Sequence, residues 1–199
     1  MIYNNPIERA RITHPWVWQD GIFTDEEIDS IVKYCDYQGT EMGVTFGSQE
    51  KETVEKVRKS GVKFHNRDEN TAWIFDRLNL AIEANNERYY RFDLNGYDAF
   101  QYTTYDKTGK YDWHMDTNLG QDPGSLQETR KLSMIICLND DYTGGEFQIN
   151  NGNEKNAETL PAKKGRAFFF PSFLIHRVAP IKKGVRKSLV VWVTGPKFI

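Results

Sequence analysis

The sequence predicts an α+β fold that is mainly β. Helices gather in the first ninety residues and pack on one side of a sandwich or barrel. Three observations carry this. Two stretches before residue 90 repeat apolar residues at helical spacing. From residue 88 onward the chain becomes a series of short aromatic and β-branched runs. Clusters of Gly, Asn and Asp separate those runs, as turns between strands require.

Taken in order, Trp16, Val17 and Trp18 read as a short strand. The first helix starts at Thr24, a candidate N-cap with Glu27 three residues later and Phe23 placed as a hydrophobic staple. Ile28, Ile31, Val32 and Cys35 form its apolar stripe, and it ends near Gly39. Residues 39–69 are polar, with 52–59 as a short helix or a loop and 61–65 alternating like a strand. Residues 70–87 read as a second helix with Asn70 as its cap. Its face comprises Trp73, Ile74, Arg77, Leu78, Ala81, Ile82 and Asn85. Strands are expected within 88–94, 97–105, 131–140, 145–149, 166–171, 174–180 and 187–193. Residues 117–130 interrupt them with Pro, Gly and polar residues. A loop of that length is a lid over a site or a surface insertion.

Length and composition fit one domain over 1–199, with 1–90 as helical support and substrate-side segments and 91–199 as the β core. The 39% hydrophobic and 14% aromatic content is enough for a packed core. A net charge of −2 offers no general attraction for a phosphate backbone. Cys35 and Cys137 lack metal-type spacing and read as reduced core thiols. The first residues carry no secretory apolar stretch, and no apolar run is long enough to span a bilayer. A soluble, cytoplasmic protein is expected.

The chemistry concentrates at His114-Met115-Asp116. If this stretch is extended, alternation points His114 and Asp116 to the same side and Met115 away. An imidazole and a carboxylate side by side make two arms of a metal claw, and a third ligand would complete a 2-His-1-carboxylate triangle. His176 follows an apolar run that turns at Pro171-Ser172, where it is a third ligand or a core histidine. Ten residues on stands Arg186, which shares a strand face with Ser188, Val190 and Trp192. On an inward face Arg186 requires an anionic partner, which a dicarboxylate would supply. At a strand end it sits in water.

This set resembles the Fe(II)/2-oxoglutarate-dependent dioxygenases, closest to the prolyl 4-hydroxylase-like branch. Besides the residues above, it includes Tyr105-(x)3-Gly109-Lys110-Tyr111, Cys137-Leu138-Asn139, Gly144-Gly145-Glu146-Phe147, Gly165-(x)4-Phe170-Pro171 and Arg186-(x)5-Trp192, in order across 97–195. The resemblance implies a double-stranded β-helix, or jelly roll. It implies Fe(II) held by His114, Asp116 and His176, with 2-oxoglutarate as co-substrate and O2 as oxidant. Ascorbate is a candidate reductant. It implies Arg186 on the far carboxylate of 2-oxoglutarate, helped by Tyr105 or alternatively Tyr102, with Ser188 assisting and Trp192 as a wall of the site or a core residue. A carboxylate at 116 is what favours hydroxylation over halogenation.

The branch implies hydroxylation of a prolyl residue in a peptide or protein, with release of succinate and CO2. Trp113, the 117–130 loop and the 39–69 segment are expected at the substrate mouth. A nucleic-acid demethylase of the same superfamily and a non-catalytic cupin-like binding domain are the alternatives. The near-neutral charge counts against the first, and the full triad with Arg186 against the second. No pattern speaks to oligomeric state.

Overall fold

A computed structural model describes residues 14–43, 56–117, 128–150 and 152–197. The strands are β1 (Val17–Gln19), β2 (Glu41–Met42), β3 (Arg58–Lys59), β4 (Gly61–Asn66), β5 (Ala99–Tyr105), β6 (Lys110–His114) and β7 (Thr129–Cys137). They continue with β8 (Thr143–Gly144), β9 (Phe147–Ile149), β10 (Glu158–Thr159), β11 (Ala167–Pro171), β12 (His176–Val178), β13 (Ile181–Lys183) and β14 (Arg186–Gly195). Helices α1 (Asp25–Gln38) and α2 (Ala72–Asn85) precede β5.

The strands form a seven-stranded sheet, ordered β1-β11-β7-β14-β5-β4-β2, and a five-stranded sheet, ordered β10-β9-β12-β6-β3, with β13 and β8 paired separately. This is a double-stranded β-helix. Period-2 alternation divides the side chains of the large sheet. Phe100, Tyr102, Met134, Ile136, Phe169, Leu189 and Val191 face α1 and α2 in one buried cluster. Tyr105, Ile135, Cys137, Phe168, Phe170 and Val190 face the smaller sheet, where Phe147, Ile149 and Val178 meet them.

Helix α1 begins as its sequence dictates. Thr24 accepts from the Glu27 amide and the Glu27 carboxylate accepts from the Thr24 amide, a complete capping box, while Gly39 ends the helix at φ 72°. Both cysteines are free and buried.

Helix α2 departs from expectation at its start. Asn70 does not cap it. Thr71 is the N-cap and makes no side-chain cap bond, and Asp68 Oδ1 accepts from the amides of Asn70 and Thr71 in an Asx-type turn that leads into the helix. Its buried face includes Phe75 in place of Trp73 and Arg77, which stay exposed. The strand expected over 88–94 does not form. The helical chain runs on through a π-type turn, Asn86–Tyr90, closed by Arg91 in the left-handed region at φ 52°. Asn86 then brackets Phe92 by donating to its carbonyl and accepting from its amide. The aromatics read as strand residues anchor this turn instead: Tyr90 is buried and its hydroxyl donates to the Phe169 carbonyl at 2.8 Å.

Of the two uncertain segments, 44–55 and 118–127 lie outside the described residues. What is described of 52–59 includes the short strand β3, paired with β6. Among the described residues, no helix is long and apolar enough to cross a membrane.

Candidate functional site

Three titratable side chains converge between the two sheets. His114 ends β6 and His176 begins β12, and the two residues are direct cross-strand partners. Asp116 joins them from outside any strand. Strand β6 stops at His114, so strict alternation is not what aims Asp116 at the site, as the sequence alone suggested. A backbone clamp does it: the amides of Asp116 and Thr117 both donate to the Ser172 carbonyl, at 2.9 and 3.1 Å. Met115 does point out to solvent.

Nε2 of His114 lies 3.7 Å from Asp116 Oδ1, and Nε2 of His176 lies 3.5 Å from Oδ2. One ligand atom from each residue falls within 4.8 Å of the others. Each imidazole is oriented by its far nitrogen. Nδ1 of His114 meets the Asp112 carbonyl at 2.7 Å and Nδ1 of His176 meets the Leu174 carbonyl at 2.8 Å. A carbonyl only accepts, so both Nδ1 atoms carry the proton and both Nε2 lone pairs face the centre. Burial, with the neighbouring His176 adding to it, holds the His114 imidazole down at about 3. Burial works against the Asp116 charge, but His176, His114 and a hydrogen bond from Ser133 outweigh it and keep its carboxyl below the usual range. Two imidazoles with Nε2 turned inward and one carboxylate, converging on one point, are a donor set for a divalent cation.

Tyr111 stacks on His114 with ring centroids 3.5 Å apart, and the guanidinium of Arg58, on β3, lies 4.6 Å from the Tyr111 ring. Phe170 and Phe147 flank His176 at 4.8 and 5.6 Å. These rings lock the ligands from the sides.

Deeper in the same interior lies Arg186, 2% exposed at the start of β14 and paired with Tyr105. Its Nη1 donates to Ser188 at 3.0 Å. Its Nε and Nη2 are buried and find no hydrogen-bond partner among the described residues. A buried guanidinium with two idle donors is costly without an anion, and a carboxylate is the complementary shape. The Tyr105 ring lies 5.5 Å from the guanidinium, and its buried hydroxyl feels the charges of Arg58, Arg186 and Asp116. Burial raises the Tyr105 pKa, so the phenol stays a neutral donor. The Gly144-Gly145 turn comes close enough that a Cβ on Gly145 would stand 2.3 Å from Ile181 Cδ1 and 3.3 Å from Arg186 Cδ. That steric limit is a local reason for glycine beside the guanidinium.

Tyr102, the alternative to Tyr105, is on the opposite face. Its hydroxyl donates to Asp36 of α1 at 2.6 Å, because three residues along a strand reverses the side. Trp192 lies on the inner face under Arg130, whose guanidinium is 4.2 Å from its ring. A cavity of about 750 Å³ opens from Trp192 toward Phe64, Tyr97, Arg130 and Glu128. Trp113 instead stacks under Arg177 at 4.4 Å, on the side of β12 away from His176.

Residues 100–194 match the family described as the 2OG-Fe(II) oxygenase superfamily. A PKHD-type hydroxylase of Synechococcus sp. (strain JA-2-3B'a(2-13)) is 32% identical over 90 residues, 45% of this chain and 39% of the relative. Another, from Synechococcus sp. (strain CC9902), is 39% identical over 87 residues, 42% of this chain and 35% of the relative. The chain thus matches under half the length of these curated relatives. In overall shape the barrel is similar to the viral collagen prolyl hydroxylase of Paramecium bursaria Chlorella virus-1, solved with 2OG. The TM-score is 0.71 at 17% identity, over 92% of this chain and 97% of that one. It is also similar to a Trichoplax adhaerens prolyl hydroxylase solved with a hypoxia inducible factor peptide. There the TM-score is 0.73 at 15% identity, over 92% of this chain and 84% of that one.

Sequence reasoning missed Ser133, Ser172 and Tyr111 as members of this site. Ser133 had left a signal, as the one hydroxyl in the apolar run 132–138. Ser172 stood in the Pro171-Ser172 turn and Tyr111 inside the Tyr105-(x)3-Gly109-Lys110-Tyr111 motif, neither with a role attached.

Proposed function

We propose that this protein is an Fe(II)- and 2-oxoglutarate-dependent dioxygenase that hydroxylates a C–H bond, on a prolyl residue of a peptide or protein. His114, Asp116 and His176 would hold the iron. Arg186 would bind the far carboxylate of 2-oxoglutarate, with Ser188 orienting the guanidinium and Tyr105 donating from beside it. When bound, iron and 2-oxoglutarate together supply an oxidant from O2, with succinate and CO2 as by-products.

The protein's own part is placement. The Nδ1–carbonyl bonds fix both imidazoles and keep their Nε2 lone pairs inward. Phe147 and Phe170 keep the interior apolar beside His176, which excludes bulk water. Three protein ligands leave room for a co-substrate to share the same cation.

The observation that carries this reading is the pairing of a converging His/Asp/His triad with a buried Arg186 whose Nε and Nη2 have no partner among the described residues. That guanidinium also speaks against a barrel that only binds metal. The prolyl substrate is supported by the structural neighbours, which are prolyl hydroxylases, one of them solved with a peptide.

The test is anaerobic reconstitution with Fe(II), addition of O2, and measurement of succinate from 2-oxoglutarate with and without proline-rich peptides. Peptide-stimulated succinate, lost in Asp116→Ala, is expected. No turnover by folded, iron-loaded protein would overturn the enzyme reading. Turnover that no prolyl peptide stimulates or couples to a mass gain of one oxygen would overturn the substrate.

A further inference from the structure

The aspartate ligand hangs on two serines. Ser133 on β7 and Ser172 in the turn after β11 are both fully buried. Ser133 Oγ donates to Asp116 Oδ2 at 2.7 Å and lies 2.9 Å from Ser172 Oγ. The direction of the second bond follows from counting protons. A hydroxyl has one hydrogen, and a carboxylate can only accept, so the Ser133 hydrogen goes to Asp116. Ser172 must then be the donor to Ser133. The result is an ordered relay, Ser172 O–H to Ser133 O–H to Asp116. Each donor polarises the next, and the last bond is charge-assisted.

The same Ser172 also fixes the backbone. Its carbonyl takes the amides of Asp116 and Thr117, and its own amide donates to the Lys131 carbonyl, two residues before Ser133. Ser172 therefore ties β7, the turn leading to His176 and the Asp116 bend into one unit. Asp116 has no strand to hold it, in contrast to both histidines. A free carboxylate on a bend would rotate and swing, which weakens a ligand set.

We infer that Ser133 and Ser172 are positioning residues for the metal centre, acting in series, with Ser133 setting the rotation of the Asp116 carboxylate and Ser172 setting Ser133. The inference rests on the iron-site reading above. Hydrogen-bonding partners of metal ligands commonly alter metal affinity about 10- to 100-fold when removed. Ser133→Ala is expected to lose about ten-fold or more in metal affinity, and Ser172→Ala less, because Ser133 keeps its own bond to Asp116.

The discriminating feature is the order of the relay. With Ser133 gone, the Ser172 hydroxyl has nothing to pass on, so the double variant should bind metal no worse than Ser133→Ala alone. Ser133→Thr, which keeps the hydroxyl, should restore affinity. The experiment titrates Mn(II) alone into metal-free protein by calorimetry for the wild type, both single variants, the double variant and Ser133→Thr, with thermal melts of each as a folding control. Weaker binding by Ser133→Ala at an unchanged melting temperature, rescue by threonine and non-additivity in the double variant are the expected set. Wild-type affinity in Ser133→Ala, losses that add in the double variant, or no rescue by threonine would overturn the relay. If melting falls in the alanine variants, the threonine variant, compared at equal fold content, decides the same question. Failure of the wild type itself to bind Mn(II) would sink the iron-site reading, and so is separable from failure of the relay.

Discussion

The two faces of the large sheet are both buried, yet they do opposite things. On β14, Leu189, Val191 and Val193 point to the helices and join an apolar cluster with Phe100, Tyr102 and Phe169. Arg186, Ser188, Val190 and Trp192 point between the sheets. There Arg186 Nε and Nη2 and Trp192 Nε1 are buried with no hydrogen-bond partner among the described residues. The two tyrosines of β5 repeat the contrast: Tyr102 has its acceptor in Asp36, while Tyr105 sits beside Arg186. Burial does not separate core from site here. The site face is marked by unpaired buried donors on a charged guanidinium, which an anionic ligand would satisfy, whereas the helix face leaves an imidazole nitrogen, His65 Nε2, without a hydrogen bond against the Phe100 ring.

The sharpest way to break that contrast is to remove the ligand on the site face. Asp116→Ala should abolish tight metal binding and, with it, succinate formation. The folded state should remain, as the residue stands on a bend and not in the sheet. Calorimetry with Mn(II) and a thermal melt check both halves. Next in size is Arg186→Ala, which should weaken 2-oxoglutarate binding by about 2–5 kcal/mol, roughly thirty-fold or more, without loss of metal affinity. Equal 2-oxoglutarate affinity in that variant would remove the guanidinium from the site.

The opposite behaviour is expected three positions along β14, on the other face. Leu189→Ala should cost about 2–5 kcal/mol of stability, a melting drop of at least about 4 °C, and leave Mn(II) affinity within two-fold or so. A large loss of metal affinity at full stability would show that the faces are not separate.

The pH dependence of the metal-free protein sharpens the comparison further. His114 is held at about 3 in the fold, and burial also lowers His65. The unfolded chain takes those protons near 6.5, the ordinary imidazole value. Protonation therefore favours unfolding across the gap. Stability should be full above pH 6.5 and fall as pH drops toward 3. Melts in chelator at pH 7, 6 and 5 read this directly, and a flat series would mean the imidazoles titrate alike in both states. The smallest effect separates the tyrosines. Tyr102→Phe should lose about 1 kcal/mol of stability with 2-oxoglutarate binding unchanged. Tyr105→Phe should weaken that binding several-fold with little change in melting.

Much of this was legible in the sequence, for reasons that differ by element. The α1 capping box and its apolar stripe are local chemistry, and the structure follows them closely. The inward set on β14 follows from a two-residue period that holds over ten residues. The triad residues were legible by spacing, but the cause assigned to Asp116 was not. A carbonyl 56 positions away, at Ser172, holds it. Residues 88–94 failed for the related reason that aromatic content does not distinguish a strand from a buried turn. Tyr90 is committed by its long-range bond to Phe169. Ser172 was silent because its role exists only once β7, the bend and the turn meet.

The position of β14 has a consequence for how the molecule is made. It is the last strand in sequence, yet it lies in the middle of the large sheet, between β7 and β5. Until it arrives, β5 and β7 each present an unsatisfied edge, and the wall behind the two histidines is incomplete. Such late, non-local closure makes folding slow and leaves strand edges open to mispairing with other chains. Truncation anywhere within 186–195 would therefore do more than delete a strand: it would leave two halves of a sheet with nothing to join them.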